Sequence, residues 1–145
     1  MLRLAVIYKA ADQLQRKSIE AAERVGKQLG ARIQRTARQS IRKPNKNNDP
    51  SPPGKPPRSQ TKTLKSSILF AYDASEREIV IGPRLLPGRV GKDAPEALEK
   101  GGVSIQQIKR RRRRQRVAAR PFMEPALQKR LPELPGLWKD AIKQG

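Results

Sequence analysis

Apolar and small residues recur about every fourth position from Leu14 through Ser18, Ala22, Val25, Leu29, Ile33, Ala37 and Ile41. This spacing predicts one long amphipathic helix over 10–42, with Arg24, Arg35, Arg38 and Arg42 mainly off the apolar stripe. A four-residue repeat drifts around a 3.6-residue helix, so the stripe should wind slowly. Gly26 and Gly30 each weaken such a helix by roughly 1 kcal/mol relative to alanine. They either allow close packing or mark a bend. Ahead of the helix, residues 3–8 suit a short strand, and Pro44 ends the helix on the other side.

Beyond it the pattern changes. Residues 44–60 are rich in proline and asparagine and follow neither period, which predicts an extended, polyproline-like path. Alternation then marks a hairpin: Leu64 to Tyr72 going out, Asp73 to Arg77 turning, Glu78 to Gly82 returning. Pro83, Pro87 and Gly88 signal a loop. Asp93-Ala-Pro-Glu96 resembles a capping box and opens a short helix over 94–100, which Gly101 and Gly102 stop. Val103 to Ala118 reads as a strand pair, or as one extended strand through the arginines. After Pro121 a helix begins with proline in its first turn. Pro132 and Pro135 break it, leaving a last short helix or tail over 137–143.

Composition narrows the picture. A chain of 145 residues is one domain by size, here 1–145. Only 3% of residues are aromatic, so Tyr8, Phe70, Tyr72, Phe122 and Trp138 are expected in the core or at contacts. The thirteen prolines and ten glycines imply a small body with extended arms. A net charge of +20 opposes compaction and calls for a polyanion or an acidic partner. The charge sits at both ends, while the middle of the chain is nearly balanced.

Candidate chemistry is sparse. The chain has no cysteine and no histidine, which removes thiolate nucleophiles, imidazole bases and the usual N/S zinc sites. Asp73, Glu76, Glu78, Asp93, Glu96 and Glu99 lie in turns or beside lysines, the pattern of solvated surface charge. No catalytic or cofactor-binding constellation and no metal site is expected, so the reading is of a protein that is not an enzyme. No apolar run approaches a membrane span, and the first residues lack a signal-peptide core and cleavage site. A soluble protein, intracellular at synthesis, is expected.

The basic run Lys109, Arg110, Arg111, Arg112, Arg113, Arg114 and Arg116 has three readings: a disordered tail or localisation-like patch, a contact to DNA phosphates, or an extended segment that meets an acidic partner, the last two being the expected roles. Phosphate neutralisation by many arginines gives tight, salt-sensitive, sequence-blind binding. No aromatic is interleaved, so base recognition is not expected. Folded motifs flank the run, which places it in an ordered extended segment rather than a tail. On a strand, Arg111 and Arg113 would face away from Arg110, Arg112 and Arg114.

Three segments together resemble a known family. Residues 50–68 resemble the pattern PSxPGxPPxxxTGxLxxSI, residues 94–101 resemble YAxxLExG, and residues 117–127 resemble xPARPFLxPAL, with 79–82 standing where VxVG is found. Their order and spacing are similar to those of the neck or tail-completion group of long-tailed bacteriophages, which includes the minor tail protein Z type of lambda-like phages. Lys62, Pro95 and Ala118 depart from the pattern, and the arginine run is not part of it.

The resemblance implies an α+β fold, with a long N-terminal helix packed on a small antiparallel β-sheet and short C-terminal helices. It implies a structural virion protein, found in the host cytoplasm during assembly. Such a protein forms a homo-oligomeric ring at the head–tail junction, with sixfold symmetry favoured and twelvefold possible. Expected partners are itself, adjacent neck, tail-terminator or head-closure ring proteins, and DNA in the channel; no membrane is involved. The proline-rich arm over 44–63, with Pro50, Ser51, Pro52, Pro53, Gly54, Pro56 and Pro57, then becomes an inter-subunit arm that lacks regular bonding of its own. Arg120, Pro121, Phe122 and Leu127 become a structural anchor, and 131–145 a C-terminal extension. The alternative from charge alone is a nucleic-acid-binding protein without sequence specificity, ribosomal or nucleoid-like.

Overall fold

A computed structural model of the protein describes residues 4–59, 62–84, 94–108 and 111–143. The fold is α+β: a long N-terminal helix with two small antiparallel sheets and short C-terminal helices. Helix α1 spans Leu4–Ser40, which at 1.5 Å per residue is about 55 Å. The expected strand over 3–8 is therefore replaced by helix from Leu4 onward. A strand needs a partner edge, whereas a helix that has already formed extends by one internal bond per residue. The β-branched pair Val6 and Ile7 is only a weak preference against that.

The apolar stripe of α1 starts later than its periodicity suggests. Ala21, Val25, Leu29, Ile33 and Ala37 are buried, as is Ile41 just past the helix, while Leu14 is 68% exposed and Ser18 is exposed. Residues 13–18 are all exposed, so the apolar pattern there buries no side chain.

Strands β1 (Ile68–Asp73) and β2 (Glu78–Pro83) form the first hairpin, with Phe70 opposite Ile81 and Tyr72 opposite Ile79. A helical turn, α2 (Thr63–Ser67), precedes it where a strand was expected from Leu64. Ser66 Oγ donates to the Thr63 carbonyl and Ser67 Oγ to that of Leu64, at 3.0 and 2.7 Å. Such local bonds favour a turn over a ladder.

The hairpin packs on α1 across two glycines. A Cβ at Gly30 would lie 2.9 Å from Phe70 Cδ2, and one at Gly26 would lie 2.6 Å from Ile79 Cδ1. Close packing, rather than a bend, is what these glycines provide.

Helix α3 (Ala94–Lys100) ends at Gly101, whose φ of +77° is the left-handed cap conformation that glycine adopts without steric cost. Strands β3 (Gly102–Ile108) and β4 (Arg111–Val117) form the second hairpin, resolving the strand-pair alternative. Helix α4 (Met123–Arg130), a 3-10 turn (Leu131–Glu133) and α5 (Leu134–Lys143) complete the chain. Helix α5 begins three residues before the expected Leu137, because Pro135 lies in its first turn, where the missing N–H has no intrahelical role.

The segment expected as an extension is integral to the body. Leu137 and Ala141 join the α1 stripe, Leu64, Ile68, Phe122 and Ala126 in one core. Polar bonds reinforce this packing. Arg130 Nε donates to Thr36 Oγ1 at 2.7 Å, and Glu133 accepts from Arg32 at 2.7 Å and from Arg130 at 2.6 Å. The loop expected at Pro87 and Gly88, and the capping role of Asp93, lie outside the described residues.

Candidate functional site

The three sequence segments singled out above meet at residues 118–124. From the arm, the N–H of Gly54 donates to the Ala119 carbonyl at 2.8 Å, and the Ser51 carbonyl accepts from Arg120 Nε at 2.7 Å. From α3, the Leu98 carbonyl accepts the N–H of Arg120 at 2.6 Å. Glu99 accepts three N–H groups at the start of α4: Phe122 and Met123 at Oε2, 3.0 and 3.1 Å, and Glu124 at Oε1, 2.8 Å. The fourth donor position is Pro125, which has no N–H. The helix start is thus fully satisfied, although Phe122 at the N-cap offers no side-chain acceptor.

Of the expected anchor, Phe122 is 1% exposed and lies in the core. Burying such a side chain stabilises by about 1.5–3 kcal/mol. Leu127 packs partly buried against the same core. Arg120 and Pro121 are half-buried at the crossing with the arm.

Glu99 is the residue that sequence reasoning missed, since it was grouped with solvated acids. A signal existed. No Ser, Thr, Asp or Asn precedes α4, so its N–H groups had to find a distant acceptor.

The arm leaves α1, reaches residue 119 and returns. Arg42 donates its N–H to the Pro57 carbonyl at 3.3 Å, and Ser59 donates to the Arg42 carbonyl at 3.0 Å. Near the start, Asn45 Oδ1 accepts the N–H of Asp49 at 2.8 Å. The first two bonds make an isolated parallel bridge between Arg42 and Arg58, so the arm, expected to lack regular bonding of its own, is held on its own chain by that bridge and by irregular bonds. Ser51 and Pro57 are buried and Pro56 is half-buried, while Pro50, Pro52, Pro53 and Gly54 stay exposed.

The arginine run forms a strand. Arg111, Arg112, Arg113, Arg114 and Arg116 lie on β4 and are all exposed, whereas Lys109 and Arg110 lie outside the described residues. Arg114 stands opposite Ile105 and Arg116 opposite Val103, so these share a face, with Arg112 next along it. These four paired residues line a shallow groove of about 500 Å³. Arg111 and Arg113 lie on the other face, which at the hairpin base carries Ser104, 1% exposed. That face turns toward the body at its base, and the Val103 face is the outer one. Among the described residues the ion pairs lie elsewhere, at Lys27–Glu23, Arg32–Glu133, Lys100–Glu96 and Arg130–Glu133. A two-stranded hairpin is marginal alone, and five like charges on one strand weaken it further.

Two carboxylates are held below their usual range. Glu133 is lowered by its hydrogen bonds from Arg32 and then Arg130. Asp73 is lowered by the Ser75 hydroxyl and the backbone N–H groups of Ser75 and Glu76. Both serve the fold. Among the described residues no His, Cys, Asp and Glu cluster could hold a metal ion, and no helix is long and apolar enough to cross a membrane. No protein-family model matches the chain, and comparison with curated proteins and with solved structures finds no significant similarity.

Proposed function

We propose that this protein is a structural subunit of a tailed-bacteriophage virion. It forms a homo-oligomeric ring at the head–tail junction, completing the tail or joining it to the DNA-filled head. The observation that carries this reading is the meeting of the three family-like segments. Arm, short helix and Ala119-Arg-Pro-Phe122 are distant in sequence, yet they bond to one another at 118–124. The resemblance therefore involves residues that act as one structural unit. The exposed arginine strand supplies a contact for channel DNA or for an adjacent acidic ring, and the exposed prolines of the arm supply one for a neighbouring subunit.

The runner-up is a sequence-blind nucleic-acid-binding protein, favoured by the exposed arginines of β4. Nuclease treatment followed by size-exclusion chromatography with light scattering separates the two. A ring of discrete mass, free of nucleic acid and found at the neck of purified virions, is the expected result. A monomer that retains nucleic acid until digestion, and is missing from virions, overturns the proposal in favour of the runner-up.

A further inference from the structure

A concave cleft of about 760 Å³ lies where α1, the returning arm and α2 meet. Arg35, Arg38, Arg42, Lys43, Lys62 and Lys65 line it, and among the described residues no acid does. Its lining also includes the buried Ile41 and the half-buried Pro44. Arg38 donates Nη2 to the Ile68 carbonyl at 2.8 Å, and its Nε is buried with no partner. The lining thus gathers six cations, and among the described residues no carboxylate in the lining balances them.

The β1–β2 hairpin starts at this cleft and runs away from it. Its first carbonyl, at Ile68, is held by Gln34 and Arg38, Phe70 lies against Gly30, and Tyr72 against Gly26. The turn after Asp73 is therefore roughly 17 Å further along, from the 3.3–3.4 Å strand rise. That turn carries Asp73, Glu76 and Glu78, the densest run of acids among the described residues, and all three are exposed; Arg77, also exposed, lies between the two glutamates, so three acids against one base leave the turn net acidic. Asp73 is occupied in shaping the turn, through Ser75 and Glu76. Glu76 and Glu78 remain for a partner.

We propose that the acidic turn of one copy docks in the basic cleft of the next, with Glu76 and Glu78 facing Arg35, Arg38 and Lys65. This inference rests on the ring reading and specifies its contact. Subunits of charge +20 repel one another, so a self-contact has to bring opposite charges together. Complementary patches at opposite ends of one layer make a head-to-tail contact, which repeats from copy to copy and closes when the rotation allows. A concave cleft with apolar walls admits a narrow turn better than the broad phosphate face of a duplex.

The chain has no cysteine, which makes cross-linking a clean test. In a Glu76→Cys/Lys65→Cys variant the two sulfurs of one chain lie too far apart to bond, since a disulfide needs Cα atoms within about 7 Å. Oxidation should give a ladder of covalent multimers, while a Glu76→Cys/Lys139→Cys control should give none. Glu76→Lys/Glu78→Lys should raise the concentration needed for assembly roughly tenfold or more. No ladder, or a ladder equal to the control, with a wild-type chain that still forms rings, overturns this contact and leaves the ring reading standing. A wild-type chain that stays monomeric overturns both.

Discussion

Glu99 Oε2 accepts the backbone N–H of Phe122 at 3.0 Å, across 23 residues of sequence. The same carboxylate closes the first turn of α4, so one acid in α3 orients the helix that follows the buried Phe122 and carries the buried Ala126. Its charge also lies at the positive end of the helix dipole. Glu99→Ala should destabilise the fold by about 2 kcal/mol, since three donors lose their acceptor at once. Glu99→Gln keeps one acceptor oxygen and should cost about half as much. Urea denaturation of the two variants checks the order, and an unchanged midpoint for Glu99→Ala would remove the capping role.

The two glycines of α1 should respond differently to alanine. Either change gains about 1 kcal/mol of helix propensity. At Gly30 the new Cβ meets the rigid Phe70 ring at 2.9 Å and Ile79 Cγ2 at 3.2 Å. Overpacking of this kind costs about 1–3 kcal/mol, so Gly30→Ala should be destabilising by about 1 kcal/mol. At Gly26 the two nearest atoms, Ile79 Cδ1 at 2.6 Å and Cγ1 at 3.1 Å, belong to one flexible side chain, which can give way by a rotamer change that the Phe70 ring cannot make. Gly26→Ala should therefore fall within about 0.5 kcal/mol of wild type. Thermal denaturation of both variants distinguishes these outcomes.

Stability should fall with acid in part through Glu133. Arg32, and then Arg130, hold its folded-state pKa below the ordinary value of 4.5. A depressed carboxylate stabilises the fold fully above its unfolded-state pKa, and that contribution is lost as pH falls through the lower folded value. The loss should begin near pH 4.5 and continue below it. Glu133→Gln should lower the melting temperature at pH 7 and converge with wild type at the acid end. A constant difference across that range would show that the ion pairs are not its cause.

Duplex binding, if DNA is the partner of the second hairpin, should be unequal between the two faces of β4. Arg112, Arg114 and Arg116 lie on the outer face with Val103 and Ile105. Changing all three to Gln should reduce the slope of log affinity against log salt by about 2.7, from about 0.9 per phosphate contact. Changing Arg111 and Arg113 should reduce it less than in proportion. Equal effects per arginine would mean that the strand acts only as a diffuse charge.

The sequence by itself determined the elements whose signals are local. The four-residue stripe gave α1 through the core, alternation gave the first hairpin, Gly101 stopped α3, and the scarcity of aromatics marked Phe122 for burial. Each signal lies within a few residues of what it specifies, so it reads without knowledge of the fold. Tertiary structure decided the rest. It turned residues 4–8 into helix, because among the described residues no strand pairs with them. It left Leu14 and Ser18 exposed, because the body ends before they reach it. It ordered the arm through Gly54, Ser51 and Arg120, and made Glu99 a cap rather than a surface charge. Those outcomes depend on partners tens of residues away, and a hydrogen-bond acceptor that serves another element leaves no periodicity in its own.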